Sequence, residues 1–462
     1  MVICNFMAKK YSAKFWIVFW TTSAIFLFGW YEYLQIDREK ISSVIAPVLE
    51  FLPFDSENTD EYKNAAKISS YFLKKDGQEK TFLLLFQNNM EIRPGGGFIG
   101  AFGILKMKDG EALSVETHDL SNFDARIPDT VEPPYPMKET LRIKSWKLRD
   151  SNYSPDFEIN AKKAEEFYHL GGGQEKFNGV IGITTNVLVS MLKVVGPIKL
   201  PDYPGVYDAD NAVLMLEYQV EKAFEQQGID RGERKLILKE MAEEIKNKVE
   251  NLSISKKMEL AKTILNDLKT KDIQFYFSDS ELQNIARESN WTGAVDQQWT
   301  RDYLMTVDAN LGAFKSDYYV QRSFKYSVDL SKEKPEVTLE ITYNHTAKQK
   351  DFMTKDYLSY LRVYVPKGSW LVDSENFPNP RFGEELERKY FGAIVKVPLG
   401  TSKTIKLVYT LPEEIKNGEY DLKIQKQAGL NDVPVDIQIK FRDGSEKKLD
   451  FKLNQDFILG EK

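Results

Sequence analysis

Cysteine is almost absent. The chain of 462 residues has one, Cys4, ahead of its first apolar run. No intramolecular disulfide can form, so packing alone must hold the fold. Histidine is scarce as well. His118, His169 and His345 lie far apart, and no Cys/His cluster has metal-ligand spacing. Excess positive charge is missing: the net charge is −6, which excludes a general nucleic-acid surface. There is no internal repeat and no low-complexity tail, while the 42% hydrophobic and 29% charged residues are an ordinary globular balance.

One long apolar run is present. Phe15–Leu34 (FWIVFWTTSAIFLFGWYEYL) is 20 residues with a single charge, Glu32, near its end. That length matches a membrane-spanning helix. Trp16 and Trp20 at one end and Trp30, Tyr31 and Tyr33 at the other suit the two interfaces. Lys9, Lys10 and Lys14 precede it, so the N-terminus is expected in the cytoplasm and everything after about Gln35 outside. No small-residue cleavage site follows closely, which favours an uncleaved anchor over a signal peptide. The expected organisation is a cytoplasmic tail (1–14), a transmembrane helix (15–34), a membrane-proximal helical segment (35–75), an α/β domain (76–317) and a β-sandwich (318–462). The lack of disulfides outside suits a bacterial surface.

Within 76–317, apolar runs of strand length alternate with helical periodicity. TFLLLFQ (Thr81–Gln87) reads as a buried strand, and the runs around Asp109-Gly110 as a hairpin. A helix over 158–170 ends at three glycines, and FNGVIGI (Phe177–Ile183) is another buried strand. A helix follows it and stops at Gly196-Pro197. Helices over 208–270, a strand over 272–278 and a helix over 279–289 complete a layered α/β pattern. Beyond Asp317 the pattern becomes eight short alternating runs separated by turn residues, which indicates a sandwich of immunoglobulin-like size.

The stretch RPGGGFIG (Arg93–Gly100) contains G-x-G-x-x-G, the spelling of a dinucleotide-binding turn. That turn needs a helix after it. Here a hairpin strand follows, and no Lys-Ser/Thr pair makes a P-loop, so a nucleotide cofactor is not expected. Asn89, Arg93, Gly95, Gly96 and Gly97 nevertheless lie just past the end of a buried strand, where open α/β sheets bind ligands. The glycines serve either a tight bend alone or a bend whose N–H groups also meet an anion. In HDLSNFDAR (His118–Arg126), Asp119 and Asp124 offer hard oxygens of the kind Mg²⁺ prefers, with Arg126 as a cation; otherwise it is a solvated turn. In WKLRDSNYSPD (Trp146–Asp156), Arg149 could fork onto phosphate and Asp150 could hold a metal or accept a proton. The alternative is a structural Arg–Asp pair with Asp156 as a helix cap.

The segments LLLFQNNMEIRPGGGFIG, WKLRDSNYSPDF, FNGVIGITTNVLVSMLKVVGPI and LRVYVPKGS, in that order, resemble the bacterial family called domain of unknown function 4012, across most of 80–370. That resemblance implies a membrane-anchored extracytoplasmic protein and no agreed activity. More distantly, the α/β layout is similar to LytR-CpsA-Psr proteins, which transfer glycopolymers from a polyprenyl-pyrophosphate carrier to the cell wall. This second resemblance implies arginines on pyrophosphate and acidic residues on Mg²⁺. FDARIPDT (Phe123–Thr130) departs from that family's Arg-Asp-Thr signature.

Two functions are therefore expected. One is a cell-envelope protein that binds an envelope polymer or a protein partner through both domains. The other is an Mg²⁺-dependent phosphotransferase or pyrophosphatase. In it Asp150, Asp119 and Arg149 would be catalytic, Asp119 and Asp150 would also ligate the metal, and Asn89, Arg93, Gly95, Gly96, Gly97, Asp124 and Arg126 would bind substrate.

Overall fold

The structure, a computed structural model, describes residues 59–229, 234–416 and 420–460. The expected cytoplasmic tail, transmembrane helix and most of the membrane-proximal segment lie outside these residues. Among the described residues, no helix is long and apolar enough to cross a membrane.

The described chain falls into two compact units. One comprises 59–79 with 107–111. It holds helix α1 (Thr59–Leu73) and the turn of a hairpin, where Asp109 and Gly110 take φ of 53° and 81°. Positive φ at both central residues is what a two-residue hairpin loop requires. The Asp109 carboxylate accepts the Gly77 N–H at 2.8 Å.

The larger unit comprises 80–106 and 112–460. It is a mixed α/β domain followed by β-rich sheets. The α/β sheet has the order β3-β2-β1-β4-β5. Its strands are β1 (Glu79–Asn88), β2 (Phe98–Lys108), β3 (Glu111–Asp119), β4 (Gly179–Thr184) and β5 (Ile273–Phe277). β1 and β4 run parallel, with Gln87 opposite Thr184, and β5 runs antiparallel to β4, with Ile273 opposite Ile183. The carboxyl ends of β1 and β4 and the start of β5 therefore meet at one edge of the sheet. β1 is buried along nearly its whole length, as its unbroken apolar run requires.

Helix α2 (Phe157–Leu170) packs Phe157, Ala161, Ala164 and Phe167 against Leu83, Leu85 and Phe102 of the sheet. Asp156 caps it, accepting from Glu158 N–H at 3.0 Å, so this aspartate is structural. Helices α3 (Thr185–Val195), α4 (Ala212–Tyr218) and α5 (Leu236–Glu250) share a second apolar cluster around Leu192, Ile198, Leu216 and Met241. α6 (Ile254–Lys269) and α7 (Ser280–Glu288) flank β5 in the chain.

The β-rich part consists of two six-stranded sheets, ordered β10-β13-β8-β7-β15-β16 and β11-β12-β9-β6-β14-β17. All eight expected strands are present: β7 (Val320–Asp329), β8 (Glu336–His345), β9 (Tyr357–Pro366), β12 (Arg388–Val397), β13 (Ser402–Thr410), β14 (Leu422–Ile424), β15 (Val433–Lys440) and β16 (Glu446–Leu453). Four further strands join them: β6 (Asp302–Asn310), β10 (Trp370–Glu375), β11 (Arg381–Glu385) and β17 (Phe457–Leu459). One apolar cluster, including Leu304, Phe324, Leu339, Val363, Ile405 and Ile437, draws on both sheets.

β6 escapes sequence reading because it does not alternate. All nine of its residues are buried, Asp302, Asp308 and Asn310 among them. Each buried carboxylate is satisfied: Asp302 accepts from the hydroxyls of Tyr326 and Tyr420, and Asp308 from Arg322, Tyr343 and Ser359.

Candidate ligand-binding cleft

The glycine turn after β1 is followed by β2, so a strand leaves it and not a helix. Its N–H groups are already taken. Gly95 donates to Asn152 O at 3.0 Å, Gly96 to Arg93 O at 3.0 Å and Gly97 to Gln87 Oε1 at 3.1 Å. Gly97 is required by close approach, since a Cβ there would lie 2.4 Å from the carbonyl carbon of Asn88. The run thus folds back on the end of β1, and these N–H groups do not converge on open space.

Arg93 lies on this turn with only 1% of its surface exposed. Its Nε donates to Asp150 at 3.0 Å, Nη2 to Glu91 at 2.9 Å and Nη1 to Asn310 O at 2.7 Å. Burial works against its charge, but Glu91 and Asp150 more than offset it and hold the guanidinium above its usual pKa. Burial raises the Glu91 carboxyl even so. Arg93 joins the α/β sheet to β6, and it is a structural bolt in this chain.

Arg149 and Asp150 are adjacent in sequence but do not pair with each other. Arg149 binds the Asp124 carboxylate and Leu120 O, whereas Asp150 binds Arg93. Burial raises Asp124 despite Arg149. Asp119 caps the short helical turn at 120–123 and pairs with Lys235 at 3.0 Å. Its burial favours the neutral acid, but Lys235 and the Ser121 N–H outweigh that and hold the carboxyl low. Arg126 is exposed and lies over the Phe123 ring, 5.7 Å from its centre. The structure thus brings Arg93, Asp150, Arg149 and Asp124 into one neighbourhood and places Asp119 and Arg126 on other partners.

These residues do not fit Mg²⁺. The ion needs several free oxygens on one centre. Asp119 is bound to Lys235 and Asp150 to Arg93, and among the described residues no group of three or more His, Cys, Asp or Glu side chains is placed to hold a metal. Both carboxylates expected to hold the metal are thus paired with cations of the chain itself.

The open volume lies elsewhere at the same sheet edge. A cleft of about 740 Å³ is bounded by Asn89 after β1, Thr185 and Asn186 after β4, and Gly429–Pro434 before and within β15. Gln321 and Ser323 of β7 and Thr342 and Asn344 of β8 form the facing wall, with Tyr318 at 50% exposure beside them. Alternation along β7 sends Phe324 into the core and leaves Gln321 and Ser323 facing out.

Asp272 organises the floor. It is 3% exposed and accepts from Thr184 Oγ1 at 2.7 Å, Asn186 Nδ2 at 2.8 Å, Thr270 Oγ1 at 2.7 Å and Asn431 Nδ2 at 3.3 Å. Both asparagines thus turn their amino groups toward this carboxylate. Asn186 Oδ1 then receives Asn89 Nδ2 at 3.2 Å, and the same Nδ2 donates to Gly429 O at 3.0 Å.

Lys426, 1% exposed, donates to Thr270 O at 2.6 Å. Burial pushes its ammonium from 10.5 down to about 8, with Asp272 opposing and Lys271 assisting. The cost of holding this charge is whole below about pH 8 and is relieved as pH rises from about 8 toward 10.5. Lys426→Met should therefore gain stability relative to the native chain below pH 8 and lose that advantage above it. Paired urea midpoints across this range check it, and a difference that does not vary with pH would contradict it.

A comparison with known proteins bears on this segment. Residues 77–220 match the family described as "Protein of unknown function (DUF4012)". No curated protein matches the chain. Among solved structures, protein gbs0355 from Streptococcus agalactiae is similar at 11% identity and a TM-score of 0.30, over 47% of this chain and 75% of that one. Lin1025 protein from Listeria innocua is similar at 13% identity and a TM-score of 0.27, over 47% and 80%. Likenesses this loose carry no argument about function.

The segment that matches this family model contains the bolt and one side of the cleft: Asn89, Arg93, Asp150, Thr185 and Asn186. Asp272, Tyr318 and Asn431 lie beyond it. Sequence reading missed Asn186 and Asp272, although the rule that singles out residues past the end of β1 applies equally past β4, where Thr185 and Asn186 stand. Asn431 had no such signal, because its place depends on how the β-rich sheets fold back.

Proposed function

We propose that this protein is a membrane-anchored, extracytoplasmic cell-envelope protein that binds an envelope polymer in the cleft between the α/β sheet edge and the outer face of β7 and β8. One observation carries the reading. The arginines best suited to gripping pyrophosphate are engaged by Glu91, Asp150 and Asp124, while the open cleft sets the amides and hydroxyls of Asn186, Ser323, Thr342 and Asn431 among apolar side chains such as Val189 and Leu214. That arrangement supports holding a ligand more than transferring a phosphoryl group, which needs cations or a metal aimed at the reacting oxygens. The reading takes the two six-stranded sheets as an immunoglobulin-like sandwich, an architecture frequent in cell-surface domains. The apolar run at 15–34 and the lysines before it support the anchoring and the outward orientation.

Co-sedimentation of the full chain with isolated envelope polymers tests this. The native protein should be retained. Ser323→Trp, which puts a large ring on the outward face of β7, should lower retention roughly tenfold with unchanged unfolding temperature. Retention unaffected by Ser323→Trp, or pyrophosphate turnover of a polyprenyl-linked glycan with Mg²⁺, would overturn the proposal.

A further inference from the structure

We infer that the cleft takes a neutral polyhydroxylated chain, a glycan with adjacent hydroxyls, and that Asp272 sets the polarity of the two amides that read it. The inference rests on the polymer-binding reading and names its ligand class.

Asn186 and Asn431 each commit one Nδ2 hydrogen to Asp272. Each amide has a second N–H beyond that bond, and both line the cleft; Asn431 Oδ1 keeps its acceptor capacity, while Asn186 Oδ1 receives Asn89 Nδ2 and keeps one lone pair for a ligand. A carboxamide so turned offers one donor and one acceptor side by side. Two hydroxyls on neighbouring carbons present the complementary pattern, since each can give and receive. Buried Asp272 holds the amides in one orientation, so the ligand does not have to order them.

Charge argues against a polyanion. Of the cleft's charged residues, Asp317 and Arg322 bind each other, with Arg322 also held by Asp308 and Tyr357, which leaves Asp210 and Asp432 against Lys452. A phosphate polymer would meet more acid than base. The half-exposed Tyr318 ring supplies an apolar face on which the C–H side of a sugar ring can lie.

The full chain is titrated with a soluble 1,4-glucan, a mannan and a galactan, each before and after periodate cleavage of its vicinal diols, and with polyphosphate. At least one intact neutral polysaccharide should bind, and its oxidised form should not. Asn431→Ala, at an exposed position that leaves the fold untouched, should weaken binding roughly tenfold, and Asn186→Ala likewise. Asp272→Asn frees the amides to rotate, so it should shrink the preference for intact over oxidised polymer, a ratio that simple loss of stability does not move. Should that variant fail to fold, the two asparagine variants still decide the matter. Binding of polyphosphate with no neutral polysaccharide bound overturns this inference and leaves the polymer-binding reading standing. Neutral binding indifferent to Asn186→Ala and Asn431→Ala also overturns it. Binding of none of these probes, together with no retention by envelope polymers, removes both.

Discussion

Arg93→Ala is expected to cost about 3–5 kcal/mol, the penalty typical of breaking a buried ion pair from one side. Glu91 and Asp150 would remain in the interior without their cation, and the carbonyls of Ile92 and Asn310 would lose a donor. The damage should spread to both parts of the larger unit, because the lost Nη1 donor also ties the glycine turn to Asn310 O of β6 at 2.7 Å. Arg93→Lys should recover only part of the loss. An ammonium keeps the charge but cannot fork between two carboxylates and a carbonyl. The deficit of Arg93→Ala should also narrow in acid. Burial already raises the Glu91 carboxyl, and a carboxyl with a raised folded pKa contributes stability at low pH that is lost as pH rises through that pKa. Urea unfolding followed by tryptophan fluorescence reads all three effects. A variant within about 1 kcal/mol of the native chain at neutral pH would show that the network is not the bolt described.

Gly429→Ala should be nearly as damaging, for a different reason. Gly429 has φ of 82°, and a Cβ there would lie 2.1 Å from Gly96 O and 2.8 Å from the Cδ1 of Ile92. Left-handed backbone alone costs an alanine about 1–2 kcal/mol. The collision with the glycine turn adds to it, for an expected total of about 3 kcal/mol or more. Gly444→Ala is the control: its φ is 85°, but nothing lies within 4 Å of the added carbon. It should show only the backbone cost. Because Gly429 O receives the Asn89 amide, Gly429→Ala should also reduce polymer retention, whereas Gly444→Ala should not. Equal destabilisation by the two substitutions would refute the close approach of the 429 loop to the glycine turn.

Local chemistry was legible wherever it acts over a few residues. The buried run of β1, the Asp109-Gly110 turn, the Asp156 cap and the eight alternating strands all follow from spacing and punctuation. β6 did not, because its aspartates mimic a loop until Tyr326, Tyr343 and Arg322 arrive from neighbouring strands to satisfy them. The candidate site was half legible. Asn89 lines the cleft, but Arg93, Asp150, Arg149 and Asp124 pair with one another.

By itself the order of residues determined most of the strands and helices, and that an α/β segment precedes a β-rich one, because periodicity and turn chemistry are short-range. Which charge meets which was settled only by the folded chain. Asp150 bypasses its neighbour Arg149 for Arg93, and Asp272 gathers Asn186 and Asn431 from 86 and 159 residues away. A buried charge takes whichever partner packing delivers, and that partner is set by how strands distant in sequence are brought side by side.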